Sequence, residues 1–316
     1  MGSRRTLEIF DDRAGRRWVN QSVVALMKQR AIDGETPPQV IRRLARQMVA
    51  EAKSQEWSDV PFDPEILADL QGIKVKCGSG DIRAEARLMP LPGRRLEIEY
   101  APDAPETRRR FSICHEIAHT FFPDCFEQVQ HRRQNEKHDP VHAELEQLCH
   151  IGAGELLMPL EEFTAATANR APSMALAAEL GLHFNASPEA ALRRLVDLTR
   201  DAYCLLWLSK RLKPKEEKDS GLEFDFGFDG PKPKLRVDYQ FASPSWAVFL
   251  PRHKSIPDDS ILYSVVNGET CETRSEDWSG LKLGDVGIEG TGSRHAEPDA
   301  KGVMVLLKFS RNGSEK

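Results

Sequence analysis

The chain of 316 residues has no apolar run long enough to cross a bilayer, which takes about 20 consecutive apolar residues. No secretory-type apolar segment opens it, so a cytoplasmic location is expected. Its six cysteines, at positions 77, 114, 125, 149, 204 and 271, show no paired spacing. That argues against a disulfide framework and suits a reducing compartment. Positive charge is not in excess, since 44 Lys and Arg against 49 Asp and Glu leave a net charge of −5. The balance gives no global reason for nucleic-acid binding. No internal repeat is present. A hydrophobic content of 40% and a charged content of 29% are those of a globular chain. The length allows two domains or one large one.

What the chain does have is His115-Glu116-Ile117-Ala118-His119, an H-E-x-x-H segment in a stretch that reads as helix. Histidines four residues apart on a helix project from nearly one face. Two neutral imidazoles on one face make half of a tetrahedral zinc site. Glu116 points in a different direction and can stand beside a metal-bound water as a base. Phe111, Ile113, Ile117, Ala118, Phe121 and Phe122 surround the motif, so the helix should be substantially buried. Buried histidines and a buried glutamate need partners, and a metal supplies them.

A third protein ligand is required. Residues 144–159 read as a second helix stopped near Pro159, and in and just before it stand His142, Glu144, Glu146, His150 and Glu155. Periodicity alone does not choose among them. Glu146 shares a face with His142 and His150, at i−4 and i+4, so that face should line a site.

The two blocks resemble the ImmA/IrrE family of zinc metallo-endopeptidases. Arg110-Phe111-Ser112-Ile113-Cys114-His115-Glu116-Ile117-Ala118-His119 is similar to the family's R-F-T-x-A-H-E-x-x-H. The block from Glu146 to Leu156-Leu157-Met158-Pro159 is similar to E-x-x-A-N-x-F-A-x-x-L-L-M-P. Cys114 and Cys149 stand where alanine is usual, and His150 where asparagine is usual. The resemblance implies Glu146 as the third ligand of a Zn2+ ion, with Mn2+ as the alternative metal. It also implies a metallo-endopeptidase whose substrate is a cognate transcriptional repressor, cut after stress or in mobile-element control. Glu116 would be the general base. His150 and His142 are the candidates for a second group at the oxyanion, with Tyr100 behind them. Asp124 and Glu144 are candidates for orienting the histidines. The strand Arg95–Tyr100 before the metal helix would be the edge strand that pairs with substrate.

The expected fold is α+β. A zincin-like peptidase domain spans 1–171, a helix–turn–helix-like unit 172–212, a charged linker 213–221 and a β-rich domain 222–316, for sensing, recognition or passive stabilisation. Strands are expected at Ile73–Cys77, Arg83–Met89, Arg95–Tyr100, Leu222–Phe226, Lys234–Phe241, Trp246–Leu250, Ile261–Val266 and Val303–Phe309. A helix–turn–helix suggests DNA reading, but Glu189 and Asp197 interrupt its arginines, and a structural helical pair is the favoured reading. Two rival functions stand beside the peptidase with a repressor substrate. One is a non-catalytic, metal-dependent regulator, which the intact Glu116 argues against. The other is the protease of a toxin–antitoxin or phage-defence system.

Overall fold

The computed structural model describes residues 9–11, 15–55, 57, 60–79, 85–132, 140–220, 231–266, 271–294 and 301–309. The chain forms two compact units, residues 1–169 with 179–190, and residues 170–178 with 191–316.

The first unit begins with a two-stranded ribbon, β1 (Phe10–Asp11) and β2 (Arg17–Trp18). Helix α1 (Gln21–Arg30) follows, capped by Asn20, whose Oδ1 accepts from Ser22 N at 2.9 Å. Helix α2 (Pro37–Ser54) opens at Thr36, whose N–H donates to Gln39 Oε1 at 2.7 Å, with proline in the first turn. Val40, Ile41, Ala45, Val49 and Ala52 form its buried stripe. Helix α3 (Pro64–Leu70) is capped by Asp63.

Strands β3 (Lys74–Cys77), β4 (Ala86–Leu91) and β5 (Arg95–Tyr100) form a sheet of order β3-β5-β4. Strand β5 is therefore central, parallel to β3 and antiparallel to β4. It is not the edge strand expected from the sequence, because β3 reaches its other side by a crossover. The edge beside the helix that carries H-E-x-x-H is β4.

Helix α4 (Glu106–His119) carries the H-E-x-x-H motif in its last turns. Arg110, 9% exposed, fixes its middle by donating to the Phe62 and Asn185 carbonyls. Then come α5 (Cys125–Arg132), α6 (Pro140–Leu157) and α7 (Leu160–Thr167). Helices α4 and α6 pack closely at Gly152, where a Cβ would lie 2.7 Å from the Ala118 Cβ. Helices α8 (Met174–Phe184) and α9 (Pro188–Leu198) are where the two expected helices were placed. Their connecting turn, in residues 179–190, belongs to the first unit.

The second unit is built on a five-stranded antiparallel sheet. Its strands are β6 (Tyr203–Arg211), β7 (Lys234–Ala242), β8 (Cys271–Asp277), β9 (Asp285–Arg294) and β10 (Lys301–Phe309), in the order β7-β6-β10-β9-β8. It also contains two short α-helices, α10 (Pro214–Ser220) and α11 (Leu262–Val265). Cys204, Leu206, Leu208, Leu235, Val237, Val303, Val305 and Leu307 line one core face of the sheet.

Several expectations need correction. Residues 213–220, read as a linker, contain α10. Ile261–Val266 is helical where a strand was expected, since a short apolar run does not separate the two forms. Trp246–Leu250 is not a strand; its Leu250 N–H is taken by the Gln240 side chain at 2.7 Å. Strands β6, β8 and β9 were missed. Strand β6 has no polar alternation because Tyr203–Ser209 is buried throughout, and β9 carries Gly287, Gly290 and Gly292, which mask a strand pattern. Leu222–Phe226 lies outside the described residues.

Candidate metal centre

The site is assembled by α4 and α6. Helix α4 ends at His119, so both histidines sit near its C-terminus, where the helix dipole favours positive charge. His119 is 4% exposed and Glu116 7%. Of the surrounding apolar positions, Ile113, Ile117, Ala118, Phe121 and Phe122 are buried as expected, and Phe111 is only half-buried.

Glu146 reaches across from α6. His115 Nε2 lies 3.0 Å from Glu146 Oε2, and His119 Nε2 lies 3.8 Å from Oε1. Tetrahedral zinc with bonds of about 2.0–2.1 Å sets its ligand atoms about 3.3 Å apart. The two observed spacings bracket that value. The rings of His115 and His119 are 5.0 Å apart and near-perpendicular, so their ε-nitrogens converge on one carboxylate without stacking. These three residues fit a metal in spacing, donor chemistry and burial.

Burial works against the charge on Glu146. Hydrogen bonds from His115 and His142 and the nearby imidazole charges outweigh it and hold the carboxyl well below the usual carboxylate range. His142 Nε2 stands 2.8 Å from Glu146 Oε1, one helical turn away on α6. His150 is exposed; its Nδ1–H donates to the Glu146 carbonyl at 2.7 Å, and its ring meets that of His115 edge-on at 4.6 Å. Both histidines from the expected α6 face thus touch the cluster, one through the Glu146 carboxylate and one through the His115 ring.

Glu116 is held differently. Its Oε2 accepts from the Leu88 N–H of β4 at 2.9 Å. The bond ties Glu116 to the edge strand, and sequence reasoning had no means to find it.

The other acidic candidates have separate duties. Glu144 Oε2 accepts from Val19 N at 3.0 Å and Asn20 N at 2.9 Å, pinning the start of α1. Asp124 accepts from Ser22 Oγ at 2.7 Å and Gln128 Nε2 at 3.0 Å. The expectation that these two orient the histidines is not met. Glu155, 1% exposed, takes a two-pronged bond from Arg46 and an ion pair from Arg42. Tyr100 lies under the Arg109 guanidinium.

One participant stands out in the sequence only as a cysteine where the resembling family has alanine. Cys149 is fully buried, and its Sγ lies 3.2 Å from His119 Nδ1. His115, His119 and Cys149 offer donor atoms within 4.8 Å of one another, a second set of metal-competent groups that shares both histidines. Cys114, also buried, has its thiol pushed up to about 12 by burial and is not poised as a nucleophile.

Residues 74–196 match the family model described as IrrE N-terminal-like domain, a peptidase family. Over these residues the chain is similar to that family. The match contains the H-E-x-x-H helix, α6 and the α8–α9 turn, and it agrees with the resemblance carried by the two sequence blocks. An IrrE N-terminal-like domain is of metallopeptidase type, and that implies a metal. No curated protein matches the sequence. A solved structure of a Mycobacterium tuberculosis transcriptional regulator has a similar fold, with a TM-score of 0.54 at 12% identity over 92% of this chain and 81% of that one.

Proposed function

We propose that this protein is a metal-dependent endopeptidase whose ion is held by His115, His119 and Glu146, and whose substrate is a transcriptional repressor or a similar regulatory protein. The observation that carries the reading is the convergence of two imidazole ε-nitrogens on one carboxylate, beside a buried glutamate of the same helix. A zinc ion in such a site lowers the pKa of its water toward neutrality and polarises the scissile carbonyl.

The chain's own groups do the remainder. Glu116, oriented by the Leu88 N–H, accepts the proton of the attacking water and returns it to the leaving amine. His142 fixes the Glu146 carboxylate through its 2.8 Å contact. His150 spends its Nδ1–H on the Glu146 carbonyl, so it must be protonated before its Nε2 can donate to a developing oxyanion. An extended peptide along β4 meets an edge whose Leu88 N–H is given to Glu116. Pro90, on the same side of the strand, has no N–H. Such a peptide would pair through β4's carbonyls.

The repressor substrate draws on the family resemblance and on the fold likeness to a protein titled a transcriptional regulator. The test is to incubate metal-loaded protein with the product of the adjacent gene and to follow cleavage by mass spectrometry. Cleavage that stops with chelator and returns with Zn2+ or Mn2+ is expected. A chain that binds no metal, or one whose Glu116→Gln variant cleaves equally well, would sink the proposal.

A further inference from the structure

The geometry points to a positioning role for Cys149: it receives the Nδ1–H of His119 and so fixes the tautomer and ring angle with which His119 presents Nε2. This rests on the metal reading above. His119 is almost fully buried and Cys149 completely so. At 3.2 Å, the Sγ–Nδ1 separation is within hydrogen-bonding range. The opposite nitrogen of the same ring faces Glu146.

Glu146 and Cys149 are three residues apart on α6 and so share one face of that helix. One helix therefore addresses both edges of the His119 ring. An imidazole offers one lone pair to an ion, so Nε2 can coordinate only while Nδ1 carries the proton. That proton needs an acceptor in a buried place, and metal-bound histidines ordinarily give it to a carboxylate or a carbonyl. Cys149 sulfur lies where that acceptor is needed. The alternative, with sulfur itself on the ion, would use the His115, His119 and Cys149 donors and release Glu146. A single ion cannot take Nε2 of His119 and also the sulfur beside its Nδ1.

Where the resembling family has alanine, this chain has placed an acceptor. His115 makes the contrast: its Nδ1 is buried without a hydrogen-bond partner among the described residues, and edge-on packing by His150 holds its ring instead.

The experiment compares the full chain with its Cys149→Ala and Cys149→Ser variants, each loaded with Co2+ and with Zn2+. Affinity is read by competition with a chromophoric chelator, coordination by the cobalt spectrum, and folding by thermal unfolding of the metal-free forms. We expect the wild-type cobalt spectrum to lack an intense near-ultraviolet sulfur-to-cobalt band. Cys149→Ala should bind about 10–100-fold more weakly, the usual cost of losing a ligand's outer partner. Cys149→Ser, which keeps an acceptor, should recover part of that loss at unchanged metal-free stability. A sulfur-to-cobalt band that disappears in Cys149→Ala would make Cys149 a ligand and overturn the positioning role. Equal affinity in all three proteins would reduce it to packing. A wild-type chain that takes up neither metal would remove the metal reading itself, an outcome seen before any variant is made.

Discussion

At the residue scale, the glutamates of the first unit separate cleanly by what they touch. Glu116 contacts a backbone amide, Glu146 contacts imidazoles, Glu155 contacts guanidiniums and Glu144 caps a chain segment. Removing each should therefore fail differently. Glu116→Gln keeps the size and the Leu88 bond but loses the base. Its turnover should fall by about 100–10,000-fold, the span of general-base catalysis, with metal content by elemental analysis unchanged. Loss of the metal in that variant would mean that Glu116 is a ligand. Glu146→Ala should weaken metal binding by more than about a hundredfold, beyond the cost of an outer partner. Glu155→Ala should keep the metal and lose about 1–3 kcal/mol of stability, because Arg42 and Arg46 lose their buried acceptor. A metal titration of Glu146→Ala, Glu144→Ala and Glu155→Ala ranks the three. If Glu144→Ala is the weakest binder, the assignment of Glu146 fails.

At the element scale, the centre depends on how closely α4 and α6 approach, and a glycine sets that distance. A methyl group on Gly152 would stand 2.7 Å from Ala118 Cβ and 3.3 Å from Ile41 Cγ2. Neither neighbour is the far end of a long side chain, so the helices themselves must separate. Gly152→Ala gains about 1 kcal/mol of helix propensity and loses about 1–3 kcal/mol to overpacking. Net destabilisation with weaker metal binding is the expected result, measured by denaturant unfolding and by metal competition on the same samples. A more stable variant with unaltered metal affinity would show that the approach is not under steric control.

Legibility of the chain follows the same division between local and distant causes. Helix α2 is legible because Thr36 and Pro37 stand before an apolar period of 3–4 residues, and most of the buried flanks of the H-E-x-x-H motif are legible because helical spacing is a local property. The Leu88–Glu116 bond, the Glu144 cap on Val19 and Asn20, and the Cys149–His119 contact join residues 28, 125, 124 and 30 positions apart. No periodicity encodes such pairs. The position of β5 was misread for that reason too: its neighbours in the sheet are set by pairings between separate segments.

At the scale of the whole molecule, the sheet of the second unit decides where the chain can be cut. The sequence places a charged stretch at 213–221 and suggests that a core ending there would stand alone. Strand β6 lies upstream of that stretch, yet it pairs with β7 on one side and β10 on the other. Cys204, Leu205, Leu206 and Leu208 are all completely buried. A chain ending at residue 220 would keep this strand and lose both of its partners. Two open ladders on an apolar strand template aggregation. Truncation after Ser220 should therefore give a largely insoluble product, and any soluble fraction should bind a hydrophobic dye strongly. The measurement is soluble yield and dye fluorescence against the full chain. A soluble, cooperatively unfolding and metal-binding fragment would show that the first unit tolerates an unpaired β6, and that the second unit serves only to regulate or recognise.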